Sequence, residues 1–453
     1  MTKSERLSRR DFLARSARTA AGIAASGAVL AGTLPQKVLG ANDRVRVAVA
    51  GLNGRGTSHL EDLAKIPGVE VTCLVDPDTR LFPAKASLAE RLFGARPQTV
   101  VDLRKALEDK DLDAVTVASP DHWHALLAIW ACQAGKHVYV EKPISHSIWE
   151  GEKLVEAARK YNRAVQCGMQ NRSITGVRKA MEFLQSGELG DIYMAKGLCF
   201  KKRNTIGKMK NTPVPDGLDW DMWLGPASWR PFNPQYVHYN WHWFWDFGCT
   251  DLGNQGPHQM DIARWGMGKD EVPGKVKCVG GKFAFDDDQE SPNTQMAVFE
   301  YADGKILQFE VRGLYTNDED GIRIGNLFYG TKGWMHLRDD KWATYWGYDN
   351  KPGPKYDGSG EEADPNNLAG TGSVGHFMNF IDAIRKDDWT VLTADVAEGH
   401  KSTAMCHLAN ISNRVGRELE FDTNTYQFVD DDVANGLLRR RRYRYPYIVP
   451  EIV

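Results

Sequence analysis

Val45-Arg46-Val47-Ala48-Val49-Ala50-Gly51-Leu52-Asn53-Gly54-Arg55-Gly56, with Val69–Val75 and Asp76 behind it, is the stretch on which the fold turns. Val45–Ala50 is a short apolar run of strand type. The glycine turn after it opens a helical pattern, with Leu60, Leu63 and Ala64 on one face. A second apolar strand follows and ends in Asp76. Strand, glycine turn, helix, strand, acid is the order of a βαβ dinucleotide site. Gly51 allows the tight turn, and backbone amides at the helix start face a pyrophosphate. Asp76 is placed to accept from adenosine ribose hydroxyls and to repel a 2′-phosphate, which favours NAD. Arg80 lies close enough in sequence to keep NADP open. Asn53 stands where a second glycine is usual, and Gly54 offers relief of the crowding. Asn tolerates left-handed backbone. A glycine turn in some other α/β domain is the plain alternative.

The alternation continues. Asp113–Ala118, His137–Val140 and Arg163–Gly168 read as strands, with helices over Trp123–Ala134 and Ser147–Tyr161. That spacing predicts a doubly wound parallel sheet with ligands at its strand ends. Two of those ends are polar: Ser119-Pro120-Asp121-His122-Trp123-His124 and Glu141-Lys142-Pro143.

The chain has 453 residues, 42% apolar and 26% charged, with a formal net charge of −2. That length suits two domains. The composition excludes general disorder, and the charge argues against a nucleic-acid binder. Seven cysteines, an odd and scattered set, make a poor disulfide framework and read as buried free thiols. His238, His242 and His258 lack a zinc spacing, so no metal site is expected. Many of the 14 tryptophans fall between Trp220 and Trp265, either as a sugar-binding surface or as an aromatic core. Tyr239, Trp241, Trp243 and Trp245 alternate, as a strand with a sugar platform on one face would.

Ser8-Arg9-Arg10-Asp11-Phe12-Leu13 precedes an Ala- and Gly-rich run from Ala20 to Ala31. This resembles a bacterial twin-arginine export signal, too short to span a bilayer. Cleavage near Gly40 or Ala41 gives domains 1–41 (signal), 42–170 (dinucleotide domain) and 171–453 (substrate and oligomerisation domain). The resemblance implies export through the twin-arginine translocase to the periplasm, already folded and holding its cofactor.

Ala134-Gly135-Lys136-His137-Val138 leading to Glu141-Lys142-Pro143 resembles the signature of the Gfo/Idh/MocA family (glucose–fructose oxidoreductase, inositol dehydrogenase and relatives). Ser119-Pro120 with His124 is similar to that family's nicotinamide-side strand end. Gly256-Pro257-His258-Gln259-Met260-Asp261 is similar to its Gly-x-His-x-x-Asp segment. The resemblance implies an N-terminal Rossmann domain, then an α+β domain on a large, mostly antiparallel open sheet. Candidate strands of that sheet are Asp191–Phe200, Lys275–Phe285, Thr294–Tyr301, Lys305–Gly313 and Ile322–Tyr329. Helices are expected near Gly375–Arg385 and Asp395–Val415. Homo-oligomers that pair through open sheets are a further implication.

Hydride transfer from a secondary alcohol needs a nicotinamide, a base for the hydroxyl proton and a cation beside the oxygen. Lys142 is the candidate cation and His258 the candidate base, with Glu141 orienting the ribose or Lys142. Gly51, Asn53, Gly54, Arg55, Gly56, Asp76, Ser119, Pro120, His124, Glu141 and Lys142 are the expected cofactor-binding set. Arg172, Trp243, Asn254 and His258 are the expected substrate-binding set, Arg172 being equally suited to an interdomain ion pair. Asn254 stands where the family often has Asp, and Asp251 is nearby. The reading favoured is an exported NAD(P)-dependent oxidoreductase of a sugar, cyclitol or glycoside hydroxyl, with the nicotinamide tightly bound. A redox-neutral NAD-dependent glycosidase is the first alternative. A sugar- or dinucleotide-binding protein without turnover is the second, kept open by Asn53 and Asn254. The tail cluster Arg439–Arg442 reads as a solvated surface or a subunit-contact arm.

Overall fold

A computed structural model describes residues 44–358 and 372–453. The twin-arginine leader falls outside the described residues.

The first half is a parallel sheet of six strands in the order β3-β2-β1-β4-β5-β6. These are β1 (Val45–Ala50), β2 (Val69–Val75), β3 (Gln98–Val100), β4 (Ala114–Val117), β5 (His137–Val140) and β6 (Val165–Cys167). Helix α1 (Gly54–Leu63) follows β1, α2 (Phe82–Phe93) follows β2, α3 (Asp121–Gln133) follows β4 and α4 (Ile148–Lys160) follows β5. β4 and β5 are buried at every residue, as strands covered on both faces must be. Ser147 caps α4, its side chain accepting from the Glu150 amide. The edge strand β3 and the helix α2 were not read from the sequence.

Two further helices, α5 (Thr175–Gln185) and the short α6 (Trp220–Leu224), flank the first strand of the second sheet, β7 (Ile192–Cys199). Then come α7 (Thr250–Asn254) and α8 (Gly256–Gly266), and the strands β8 (Lys275–Gly281), β9 (Thr294–Glu300), β10 (Ile306–Arg312) and β11 (Ile324–Gly330). β12 (Gly333–Arg338), β13 (Lys341–Trp346) and β14 (Lys351–Tyr356) extend one edge; β15 (Leu419–Asp422) and β16 (Gln427–Phe428) extend the other. Among its ten strands, only β7 and β10 pair in parallel. β9 shows why the sheet has one wet face: Gln295, Ala297 and Phe299 are buried while Met296, Val298 and Glu300 are exposed. The buried face packs on α5, α8 and a long helix near the C-terminus, α10 (Val396–Val415).

The expected boundary at residue 170 is crossed by the returning chain. Helix α9 (Ser373–Lys386) lays Phe377, Phe380 and Ile381 against Val47, Val49 and Tyr139 of the first sheet. Tyr447 and Val449 join the core on that sheet's other face. In the arginine cluster Arg439, Arg441 and Arg442 are exposed, as a solvated surface is, and Arg440 turns inward. Arg440 is buried beside Glu150, with its guanidinium on His146 and on the Asp246 carbonyl. Arg444 reaches the side chain and carbonyl of Asp221. All seven cysteines are buried and free.

Candidate active site

The turn after β1 is built by steric necessity. Gly51 has φ +86°, and a Cβ there would lie 2.6 Å from the backbone of Ala118 and Ser119. Only glycine lets the ends of β1 and β4 approach this closely. Asn53 does not use left-handed backbone; it caps α1 at φ −78°, and Gly54 takes the positive φ of 34°. The leading turn of α1 lines a crevice of about 470 Å³, with Asp76 on one side and Lys142 and His258 further along.

Asp76 is buried and accepts from the amides of Leu52 (2.8 Å) and Asp78 (2.9 Å). Burial nevertheless raises its carboxyl to about 6, against the pull of those amides. Arg80 does not face Asp76. Its guanidinium grips Asp78 through two bonds of 2.7 and 2.6 Å, and His238 Nε2 meets the same carboxylate at 2.9 Å.

The insertion 201–247 is stitched to this corner. Thr79 donates its amide to the Gly217 carbonyl (2.8 Å), and Asp219 donates to the Pro77 carbonyl (2.9 Å). Its aromatics form their own core: Trp220, Trp223, Tyr236, Trp241, Phe244 and Phe247 cluster together. The core reading of the tryptophans is thus the observed one. Residues 240–243 form a 3₁₀ turn, not a strand, so the alternating aromatics share no platform. Trp241 lines the crevice. Trp243 does not; it is buried under Arg203 and takes the amides of Glu290 and Ser291 on its carbonyl.

At the end of β5, Glu141 is buried. Its Oε1 accepts from Arg55 Nε (2.7 Å), His59 Nε2 (3.1 Å) and Gln170 Nε2 (3.3 Å). Burial alone would raise this carboxyl; the Arg55 charge and the His59 bond outweigh it and hold it well below the usual range. His124 braces two strand ends, with Nδ1 2.6 Å from the Pro143 carbonyl and Nε2 2.7 Å from that of Ser119. Ser119 and Pro120 line the crevice, and the buried Ser119 Oγ has no partner.

Lys142 Nζ donates to the Asn254 carbonyl at 2.7 Å and approaches its Oδ1 at 3.5 Å. Asp251 does not substitute for the missing acid. Arg203 holds it at 2.5 and 3.0 Å, and its link to the site is one bond from Asn254 Nδ2. His258 opens α8 and lines the crevice, its Nδ1 buried without a partner. Burial, reinforced by the Lys142 charge, pushes its imidazole down to about 3. Arg172 does not line the crevice. It forms a forked pair with Asp261 (2.7 and 2.9 Å) and a bond to Glu398 (3.1 Å), the ion-pair alternative of the sequence.

Asp121, Tyr239 and His242 also line the crevice, outside the expected cofactor- and substrate-binding sets. Asp121, first residue of α3, is buried with Oδ2 unpartnered, and burial raises its carboxyl to about 7. Its signal was its place at a strand end of a parallel sheet. Tyr239, expected on an aromatic platform, and His242, weighed only as a metal ligand, reach the crevice from the irregular insertion.

A family model described as "Oxidoreductase family, NAD-binding Rossmann fold" matches residues 45–169. Its partner, "Oxidoreductase family, C-terminal alpha/beta domain", matches 177–320 and 372–449. A levoglucosan dehydrogenase of Pseudarthrobacter phenanthrenivorans is 28% identical over 188 residues, 41% of each chain. A glycosyl hydrolase family 109 protein of Shewanella pealeana is 29% identical over 171 residues, 34% of this chain and 38% of that one. The chain thus matches less than half the length of either relative. A solved levoglucosan dehydrogenase, in complex with NADH and levoglucosan, superposes with a TM-score of 0.64 at 19% identity. That likeness of fold covers 83% of this chain and 99% of the other. The matched segments take in the whole first sheet, six strands of the second (β7–β10, β15 and β16) and most of the crevice lining, and the protein belongs to the Gfo/Idh/MocA oxidoreductase family.

Proposed function

We propose that the protein is an exported, NAD-dependent oxidoreductase acting on a secondary hydroxyl of a sugar, cyclitol or glycoside. One observation carries this reading: the Gly51–Gly54 turn, Asp76, Lys142 and His258 line a single crevice. The residues fit a dinucleotide. The Gly54 side of the turn is open, with nothing within 4 Å of where a Cβ would stand, and Ser119 Oγ and His258 Nδ1 lack partners. NAD, when bound, supplies the hydride acceptor.

The chain's own groups do the rest. The amides opening α1 bind the pyrophosphate, and Asp76 takes the ribose hydroxyls. Arg80 is committed to Asp78 rather than turned to Asp76, which supports NAD over NADP. Lys142 and His258 are the groups we place on the reacting oxygen, where the ammonium stabilises developing negative charge. Glu141 acts as the anchor of Arg55 and His59 rather than on substrate.

The Arg9-Arg10 leader supports periplasmic localisation, and seven free thiols suit folding in a reducing cytoplasm before export. Nicotinamide held through export then has to be regenerated on the protein. Exposed Val279, Met296 and Val298 on the open sheet support a homo-oligomer.

The test is turnover of the purified mature protein with a panel of sugars and glycosides, read as nicotinamide reduction and product. Lys142→Met and His258→Ala are each expected to abolish it; intact turnover in both refutes the site. The similarity to a glycosyl hydrolase family 109 protein favours a second reading, the redox-neutral glycosidase. Aglycone release without net nicotinamide reduction would select it.

A further inference from the structure

Asn254 faces Lys142 with two oxygens, its carbonyl at 2.7 Å from Nζ and its side-chain Oδ1 at 3.5 Å. A side-chain amide is nearly symmetric in shape, so something has to decide which end meets the ammonium. Turned over, the amide would set its N–H donors against those of the lysine. The decision falls to Asp251. A carboxylate only accepts, and Asp251 Oδ1 takes a hydrogen of Asn254 Nδ2 at 3.2 Å. That leaves Asn254 Oδ1 as the end turned to Lys142.

Asp251 is itself held from a distant part of the chain. It is buried in the short helix α7. Arg203 meets it as a fork, Nη2 on Oδ1 at 2.5 Å and Nε on Oδ2 at 3.0 Å. Arg203 is fixed on three further sides. Its amide donates to the Gly313 carbonyl at 2.7 Å, and its Nη1 to the Tyr239 hydroxyl at 3.0 Å. Its guanidinium carbon lies 5.0 Å from the centre of the Trp243 ring. Neither Arg203 nor Asp251 lines the crevice. A buried ion pair is a poor device for stability alone, because desolvation offsets its attraction. This one is joined through Asn254 to the lysine of the site.

We infer that the Arg203–Asp251 pair is a positioning unit of the active site: it sets the Asn254 amide so that two oxygens hold Lys142 and one N–H is left for substrate. The inference rests on the oxidoreductase reading above for what Lys142 does. An ammonium has three donors. Two go to Asn254, so the direction of the third is fixed, as stabilising an alkoxide requires. Without Asp251 the amide is free to turn, and the ammonium keeps a single hold.

Two measurements on the full chain test it. The first is kinetic, with whichever of myo-inositol, levoglucosan and glucose the wild type oxidises. Asp251→Asn should lower kcat on the order of 10-fold, with KM within about threefold, because a misplaced ammonium is felt in the transition state. Asn254→Asp presents an acceptor whichever way it turns, so in that background Asp251→Asn should lower kcat by less than about threefold. A merely structural pair would cost the same in both backgrounds. Arg203→Lys keeps the charge but not the fork, and it carries the same comparison if Asp251→Asn does not fold. A loss of kcat under about threefold in the Asn254 background, or equal losses in the two, overturns the inference. The second does without turnover. Reductive methylation with formaldehyde and cyanoborohydride, followed by mass spectrometry, reports how firmly Lys142 is held. Its rate should rise about fivefold in Asp251→Asn, the value of one hydrogen bond. An unchanged rate overturns the inference. If the wild type oxidises none of the three compounds, that counts against the oxidoreductase reading, and the labelling alone decides the positioning of Lys142.

Discussion

Replacing Glu141 by alanine should unfold the dinucleotide half more easily than any comparable change at the surface. Its Oε1 gathers three donors, and each loses something different. His59 is fully buried, its Nδ1 already lacks a partner, and its Nε2 bonds to Glu141 at 3.1 Å. An orphaned buried donor costs about 1–3 kcal/mol. Arg55 fares better, because its side chain is 34% exposed and also reaches Ser373 Oγ at 3.3 Å. Gln170 keeps the Tyr139 hydroxyl at 2.8 Å. Removing one partner of a buried ion pair generally costs about 3–5 kcal/mol, and the exposure of Arg55 puts this site at about 3 kcal/mol. Glu141→Gln keeps an acceptor for His59 and should cost about half as much. The assay is urea unfolding followed by tryptophan fluorescence, with midpoints compared at equal slope. A loss under about 1 kcal/mol for Glu141→Ala, or equal losses for the two variants, would refute the reasoning.

Gly51→Ala should cost at least about 2 kcal/mol and abolish nucleotide binding, since its Cβ would sit 2.6 Å from the Ala118 backbone at a positive φ; thermal unfolding and bound-nucleotide content check both. Asp76→Ser should narrow the preference for NAD over NADP by about tenfold, because it removes the charge that repels a 2′-phosphate; fluorescence titration with each nucleotide reads the ratio. Glu398 is held at about 2, from 4.5, where Arg264 and then Arg172 outweigh the burial that alone would raise it. Its folded value is depressed, so its contribution is present above about pH 4.5 and lost as pH falls towards 2, to the extent of about 3 kcal/mol. Glu398→Gln should flatten the stability profile in that window, and an unchanged acid slope would count against it.

The dinucleotide half was readable because its signals are local. The glycine turn, the acid at the end of β2 and the Glu141-Lys142-Pro143 strand end follow from neighbours within a few residues. What escaped depends on distant partners or irregular backbone. Arg172 reads equally as a ligand or a brace until Glu398, 226 residues away, is seen beside it. The alternation from Tyr239 to Trp245 mimics a strand, but a 3₁₀ turn repeats every three residues and exchanges the expected Trp243 for Trp241 at the crevice. No strand was expected over Lys351–Tyr356, whose prolines mask it; it is β14, an edge strand where prolines need not donate to the ladder.

One connection runs from the corner beside Asp78, where Thr79 and Asp219 fasten it, to the turn bearing Tyr239 and His242. Descendants of this scaffold that exchanged the loop to suit a new sugar would therefore inherit a changed grip on the nucleotide as well. Diversification here should proceed by point changes within the loop, with its moorings at residues 77–79 left untouched.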